Sequence, residues 1–197
     1  TEADRSVNLI GVGLAGVAGV AGVGATAVVL APPRWRTVIS GVATVVAGVA
    51  GTVAGVAALV GDGFTAQLPA LLPLAGLHLT LDSLGGLFLA VAGAVIAVAA
   101  GYGVGYTRPA ATGQAWPGRT VPAVLPLLAA SLMLVPAAGS VSTLLVLWEL
   151  MALTSLVLVL AEHHLRAGVG RAGLWYAVMT HLGFAAILLG LVVFAAA

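Results

Sequence analysis

Six apolar runs, at about 8–31, 38–60, 83–106, 120–138, 141–161 and 172–194, are what this chain must accommodate before anything else. A helix crosses the hydrocarbon core of a bilayer in about 20 residues, and each run meets or approaches that length. With 61% hydrophobic and only 7% charged residues, too little polar surface is left to solvate an ordinary globular domain. The expected fold is an all-α membrane protein with six transmembrane helices, multi-pass in a cell membrane of bacterial inner-membrane type.

Other classes fall to composition. The net charge is +1 and the seven arginines are scattered along the sequence, so no basic patch points to nucleic acid. Without cysteine there is no disulfide, no thiolate zinc site and no cysteine-ligated iron–sulfur cluster. Gly101-Tyr102-Gly103-Val104-Gly105 is glycine-rich, but it ends a membrane run and lacks the spacing and preceding strand of a nucleotide loop. No cofactor is expected on the chain itself.

The joints between runs carry the polar residues. Ala25-Thr26-Ala27 has the small-x-small form of a signal cleavage site, but Glu2 and Asp4 beside Arg5 do not make a basic leader. The first run is therefore read as a retained helix, stopped by Pro32-Pro33, neither of which can donate a helical hydrogen bond. Six glycines between Gly11 and Gly24, and the Gly51/Gly55 pair, suit close helix approach in lipid. A general drift of composition towards Gly, Ala and Val explains them as well.

In the 61–82 loop, Leu77-His78-Leu79-Thr80-Leu81-Asp82 alternates with period two and predicts a short strand or hairpin, with His78 solvated. Asp82 is placed to cap the third helix, and Tyr102 and Tyr106 stand at its far end, at interfacial height. In the fourth run Pro122 is harmless near the start, whereas Pro126 is a candidate kink. Arg34, Arg36, Arg108, Arg119, Arg166 and Arg171 follow the first, third and fifth runs, against Arg5 alone on the other side. The positive-inside rule then puts the N-terminus and the 61–82 loop away from the cytoplasm.

Against this apolar background Glu149 stands out as the only charge in the run from Val141 to Ala161. A carboxylate at mid-bilayer depth costs about 2.5–3.5 kcal/mol on insertion scales, and such groups usually face a bundle interior or a water path. Ser142, Val146, Glu149 and Leu153 share one stripe of the helix, so the acid has one hydroxyl and otherwise apolar company. The chain has no lysine to pair with it.

His181, in the sixth run, is the second candidate. Counted from the joining loop, both groups lie roughly 15–18 Å into the membrane at ~1.5 Å per residue. Consecutive helices are usually neighbours, so the two are placed to exchange a proton directly or through water. The structural alternative is a glutamate and a histidine that hydrogen-bond neighbouring helices and do nothing more. His163 and His164, after Glu162, mark the cytoplasmic edge as a proton entry or simply a solvated face. Adjacent helical residues cannot converge on one metal ion, and no nucleophile–base constellation is present.

Four segments, in order, resemble a known family. They are Leu79-Thr80-Leu81-Asp82-Ser83-Leu84, the Tyr102…Tyr106 helix end, Leu147-Trp148-Glu149-Leu150-Met151-Ala152-Leu153-Thr154-Ser155, and Tyr176 with Thr180-His181-Leu182-Gly183. Together they look like the N-terminal part of the proton-conducting, antiporter-like membrane subunits of respiratory complex I, group 4 membrane-bound hydrogenases and Mrp-type antiporters. The sixth-helix histidine is most similar to the hydrogenase-4 component B and formate hydrogenlyase subunit 3 branch. The resemblance covers about Leu77 to Phe194, while the first two helices match only in topology.

The resemblance implies a fourteen-helix fold with two inverted five-helix repeats, and sites at mid-membrane between repeats. On that basis 1–82 holds two N-terminal helices and an extracytoplasmic loop, and 83–197 holds four helices including the start of the first repeat. Glu149 would be the proton carrier, paired in the family with a lysine on a broken seventh helix that this sequence lacks. The chain is thus expected to be an N-terminal portion, or one piece of a split subunit, that does not complete a proton path alone. Implied partners are other membrane and peripheral redox subunits, with H⁺, or else Na⁺, as the ion. Two further classes stay open: a non-conducting assembly or scaffold subunit, and a cation/proton antiporter with no redox partner.

Overall fold

The computed structural model describes residues 2–61, 63–68, 76–106, 118–163 and 167–196. Helices α1 (Glu2–Leu30), α2 (Pro33–Val60), α3 (Ser83–Tyr106), α4 (Thr120–Leu134), α5 (Val141–Val159) and α6 (Ala167–Ala196) account for nearly all of them. Among the described residues the one sheet is an antiparallel pair, β1 (Phe64–Leu68) and β2 (Leu77–Leu81). Six helical spans are long and apolar enough to cross a membrane, the fourth, Thr120–Ala137, only with the 3-10 turn that extends α4.

Local chemistry sets most of the boundaries. Pro32 and Pro33 end α1 and start α2, with Pro33 at the first helical position, where its missing N–H is no loss. Asp82 Oδ1 accepts the Gly85 N–H at 2.7 Å and caps α3, as its place in the sequence suggested. Tyr102 and Tyr106 stack at the other end of α3, with ring centroids 5.8 Å apart. The fourth helix is shorter than its apolar run: the α-helix ends at Leu134, and Val135–Ala137 tighten into a 3-10 turn at Pro136, which has no N–H for the helical ladder. Pro122 and Pro126 are both accommodated within α4, buried against the bundle. The sixth helix begins at Ala167, before its uniformly apolar stretch, and so carries Arg171 in its first turns.

The pair sets Phe64 opposite Leu81 and Leu68 opposite Leu77. Gly63 and Gly76, at φ 81° and 66°, open its two strands in the left-handed region that suits glycine. Alternation in 77–82 revealed β2, and Phe64-Thr65-Ala66-Gln67-Leu68 alternates apolar with polar residues in the same way, a signal for the partner strand that the reading of 77–82 alone did not use.

Helices α1 to α4 form the packed body. Its core joins Ile10, Leu14, Val17 and Ala21 of α1 with Ala47, Ala54 and Ala58 of α2, Leu89 of α3, and Ala129, Ala130 and Met133 of α4. Between α2 and α3 the backbones themselves touch. A methyl group added at Gly93 would lie 2.6 Å from the Gly48 carbonyl oxygen, and one added at Gly48 would lie 2.7 Å from that of Gly93. Gly51 receives Met133 Sδ and Leu89, and Gly55 meets the backbone of Gly86 and Ala90. Compositional drift therefore does not account for these glycines, each of which sits where a side chain would hold two helices apart. This packing runs across residue 82, joining α2 to α3. Outside the body, α5 leans on α4, and α6 packs chiefly on α5.

Candidate functional site

The start of α5 is fixed from outside the membrane run. Ser140 Oγ accepts the Thr143 N–H at 3.2 Å as the helix cap, and Thr143 Oγ1 in turn accepts the His78 N–H at 2.9 Å. The Gly139 N–H donates to the His78 carbonyl at 2.9 Å, and Leu79 bridges Ala138. His78 thus serves through its backbone, tying the strand pair to the α4–α5 joint. With its first turn held, α5 carries Glu149 to the middle of its span.

There the acid meets His181. Glu149 Oε1 lies 3.2 Å from His181 Nε2, linking α5 to α6 at mid-helix. The other ring nitrogen, Nδ1, lies 2.8 Å from the Ala177 carbonyl oxygen, one turn back on the same helix. A carbonyl can only accept, so Nδ1 carries a proton and donates it. That leaves Nε2 as the single site on the ring that can gain or lose a proton, and it points at Glu149.

Two proton arrangements satisfy the contact. In one, a protonated Glu149 donates to the lone pair of Nε2 and both groups are neutral. In the other, an imidazolium donates to the carboxylate as an ion pair. Interconversion moves one proton along one hydrogen bond and changes no net charge, which matters in a medium where an isolated ion is costly. The side chains are 31% and 53% exposed within this chain, so the pair lies at an open edge of the seam and is not sealed in the core.

A second polar contact joins the same helices. Tyr176 OH lies 2.6 Å from Ser155 Oγ, six residues on from Glu149 along α5 and five back from His181 along α6. Beyond it, Gly173 lies against Leu160. Sequence reading gave the hydroxyl pair no role. Extending the antiparallel register from Glu149 and His181 would have found it, since each step forward on α5 is a step back on α6.

The edge histidines are separate from this pair. His163 is exposed in the turn after α5, with Nδ1 2.7 Å from the Leu160 carbonyl oxygen. It stands fourteen residues from Glu149, roughly 20 Å along a helix, so the structure does not bring the two together. His164 lies outside the described residues. Among those described, no group of three or more His, Cys, Asp or Glu could hold a metal ion.

No family model matches the sequence, and no solved structure matches it. Two Mycobacterium tuberculosis proteins, from strains CDC 1551 and H37Rv, are each 58% identical to it over 127 residues, and both are described only as uncharacterized. The matched stretch is 64% of this chain but 19% of each relative, so the chain spans about a fifth of the length of the relatives it matches.

Proposed function

We propose that this chain forms the first part of a proton-translocating membrane subunit in a redox-driven complex of the hydrogenase or complex I kind. Glu149 is the central proton carrier and His181 its relay. The observation that carries this reading is the 3.2 Å contact between Glu149 Oε1 and His181 Nε2, with Nδ1 engaged by the Ala177 carbonyl. A purely structural pair needs any donor and any acceptor. Here either partner can hold the proton between them, as a carboxylic acid or as an imidazolium. The length of the relatives, about five times the matched stretch, leaves room for the later helices that the family resemblance calls for. Redox chemistry belongs to partner subunits in this scheme, and the chain's own share is to hold and hand on protons.

Glu149→Gln keeps the size of the side chain and its hydrogen bonding but removes the exchangeable proton. In the native assembly it is expected to abolish coupled proton uptake by membrane vesicles while the complex still forms at wild-type abundance. Wild-type proton uptake in the variant would refute the carrier role. A complex that fails to assemble would mark Glu149 as a structural residue and favour the scaffold reading.

A further inference from the structure

The contact between Glu149 and His181 cannot be held by apolar packing. Among the described residues of α6 only Gly173, near its start, is buried, and α6 packs chiefly on α5. In lipid, one apolar face is as well solvated as another, so apolar contact alone sets neither the rotation nor the register of such a helix. Yet proton exchange tolerates little error. Side chains reach about 5–6 Å from a helix axis, so rotating α6 by about 20° displaces His181 Nε2 by roughly 2 Å and opens the hydrogen bond.

We infer that the Ser155–Tyr176 hydroxyl pair is the positioning device that holds His181 against Glu149. At about 100° per residue, Ser155 lies roughly 120° around α5 from Glu149, and Tyr176 roughly 140° around α6 from His181. The two polar pairs therefore grip opposite edges of one seam. One contact alone leaves α6 free to pivot about it, whereas two on opposite edges fix its rotation, and their separation along the axis, roughly 9 Å, fixes its register. The direction of the hydrogen bond is also set. Ser155 Oγ lies 2.6 Å from the Met151 carbonyl oxygen and 3.1 Å from that of Ala152, so its one proton is spent there and it accepts from Tyr176. Gly173 adds close approach at the loop end, where its lack of a side chain admits Leu160. This assignment rests on the proton-carrier reading for its purpose, but not for its geometry.

Residues 1–197 hold no cysteine, so in a Leu160→Cys/Gly173→Cys pair the disulfide between 160 and 173, quantified on the peptides that carry them, reports α5–α6 register. In the native assembly, adding Tyr176→Phe to that pair is expected to lower the cross-linking yield several-fold. Tyr176→Phe should lower vesicle proton uptake with or without the thiols, and in the Leu160→Cys/Gly173→Cys/Tyr176→Phe variant uptake should recover once the cross-link has been driven to completion. Unchanged cross-linking yield with Tyr176→Phe overturns the inference, and so does uptake that stays low after the register is locked, since the hydroxyl would then act on protons itself. If the yield falls but Glu149→Gln retains full uptake, the positioning stands and the carrier reading is the one that fails.

Discussion

At the scale of the residue, the hydrogen bond on the far side of the imidazole matters as much as the one facing Glu149. Because the Ala177 carbonyl lies 2.8 Å from His181 Nδ1, the ring presents Nε2 with its lone pair or its proton, and no other titrating atom, to the carboxyl. Glutamine at 181 retains a donor and an acceptor but cannot be protonated in this range. His181→Gln should therefore keep the helices together and lower coupled proton uptake by about 10²-fold, the low end of what positioned proton transfer supplies. Vesicle uptake measured beside the abundance of the assembled complex checks both halves of that expectation. Much of this pair was legible in the sequence, because a lone carboxylate and a lone histidine at matching depth on consecutive helices have few other places to go. The tautomer was not, since it depends on a rotamer that brings Nδ1 to a carbonyl one turn away.

At the scale of the element, two kinds of seam occur in one molecule. Between α2 and α3, Gly48 and Gly93 let backbones touch, and many small dispersion contacts replace the hydrophobic drive that lipid does not provide. A methyl group at Gly93 would meet the Gly48 carbonyl oxygen, the Thr52 backbone nitrogen and Thr52 Oγ1, the last already hydrogen-bonded to the Gly48 carbonyl, so no long flexible side chain can move aside. Gly93→Ala should destabilise the bundle by about 1–3 kcal/mol, the usual cost of overpacking a tight interface. Gly19→Ala is the matched control, with nothing within 4 Å of the added carbon, and should be neutral. Thermal unfolding of both variants in detergent distinguishes a drop in Tm for one from no change in the other. Between α5 and α6 close approach is confined to the loop end, where Gly173 meets Leu160, and polar pairs do the aligning along the rest of the seam.

The sequence could not separate the two seams. Gly48, Gly51 and Gly55 have the same spacing whether composition or contact put them there, and only the partner helix decides. Helix ends show a similar divide. Asp82 announced its cap locally, whereas α2 begins at Pro33, five residues before its expected start at 38, and the early end of α4 required recognising that Pro136 tightens the chain into a 3-10 turn before Ser140 restarts it. The pairing of β1 with β2 rests on a five-residue alternation, Phe64-Thr65-Ala66-Gln67-Leu68, that is short enough to pass for loop until its partner strand is in place.

At the scale of the whole molecule, a four-helix body built on small residues supports an outer pair of helices joined by the Glu149–His181 contact. α5 is anchored at one end by the strand pair through His78 and Thr143, and α6 exposes its length beyond it. The half-exposed Glu149 and His181 suit a site finished by other helices or by a partner subunit, which is the role proposed for this chain within a larger assembly. The measurement that tests this most directly is mass spectrometry of the complex gently solubilised from native membranes, captured through the polypeptide that carries this sequence. Co-elution with iron–sulfur and nickel-hydrogenase or quinone-module subunits, in fixed stoichiometry, is the expected result. Recovery of that polypeptide with no redox subunit at all would contradict the account.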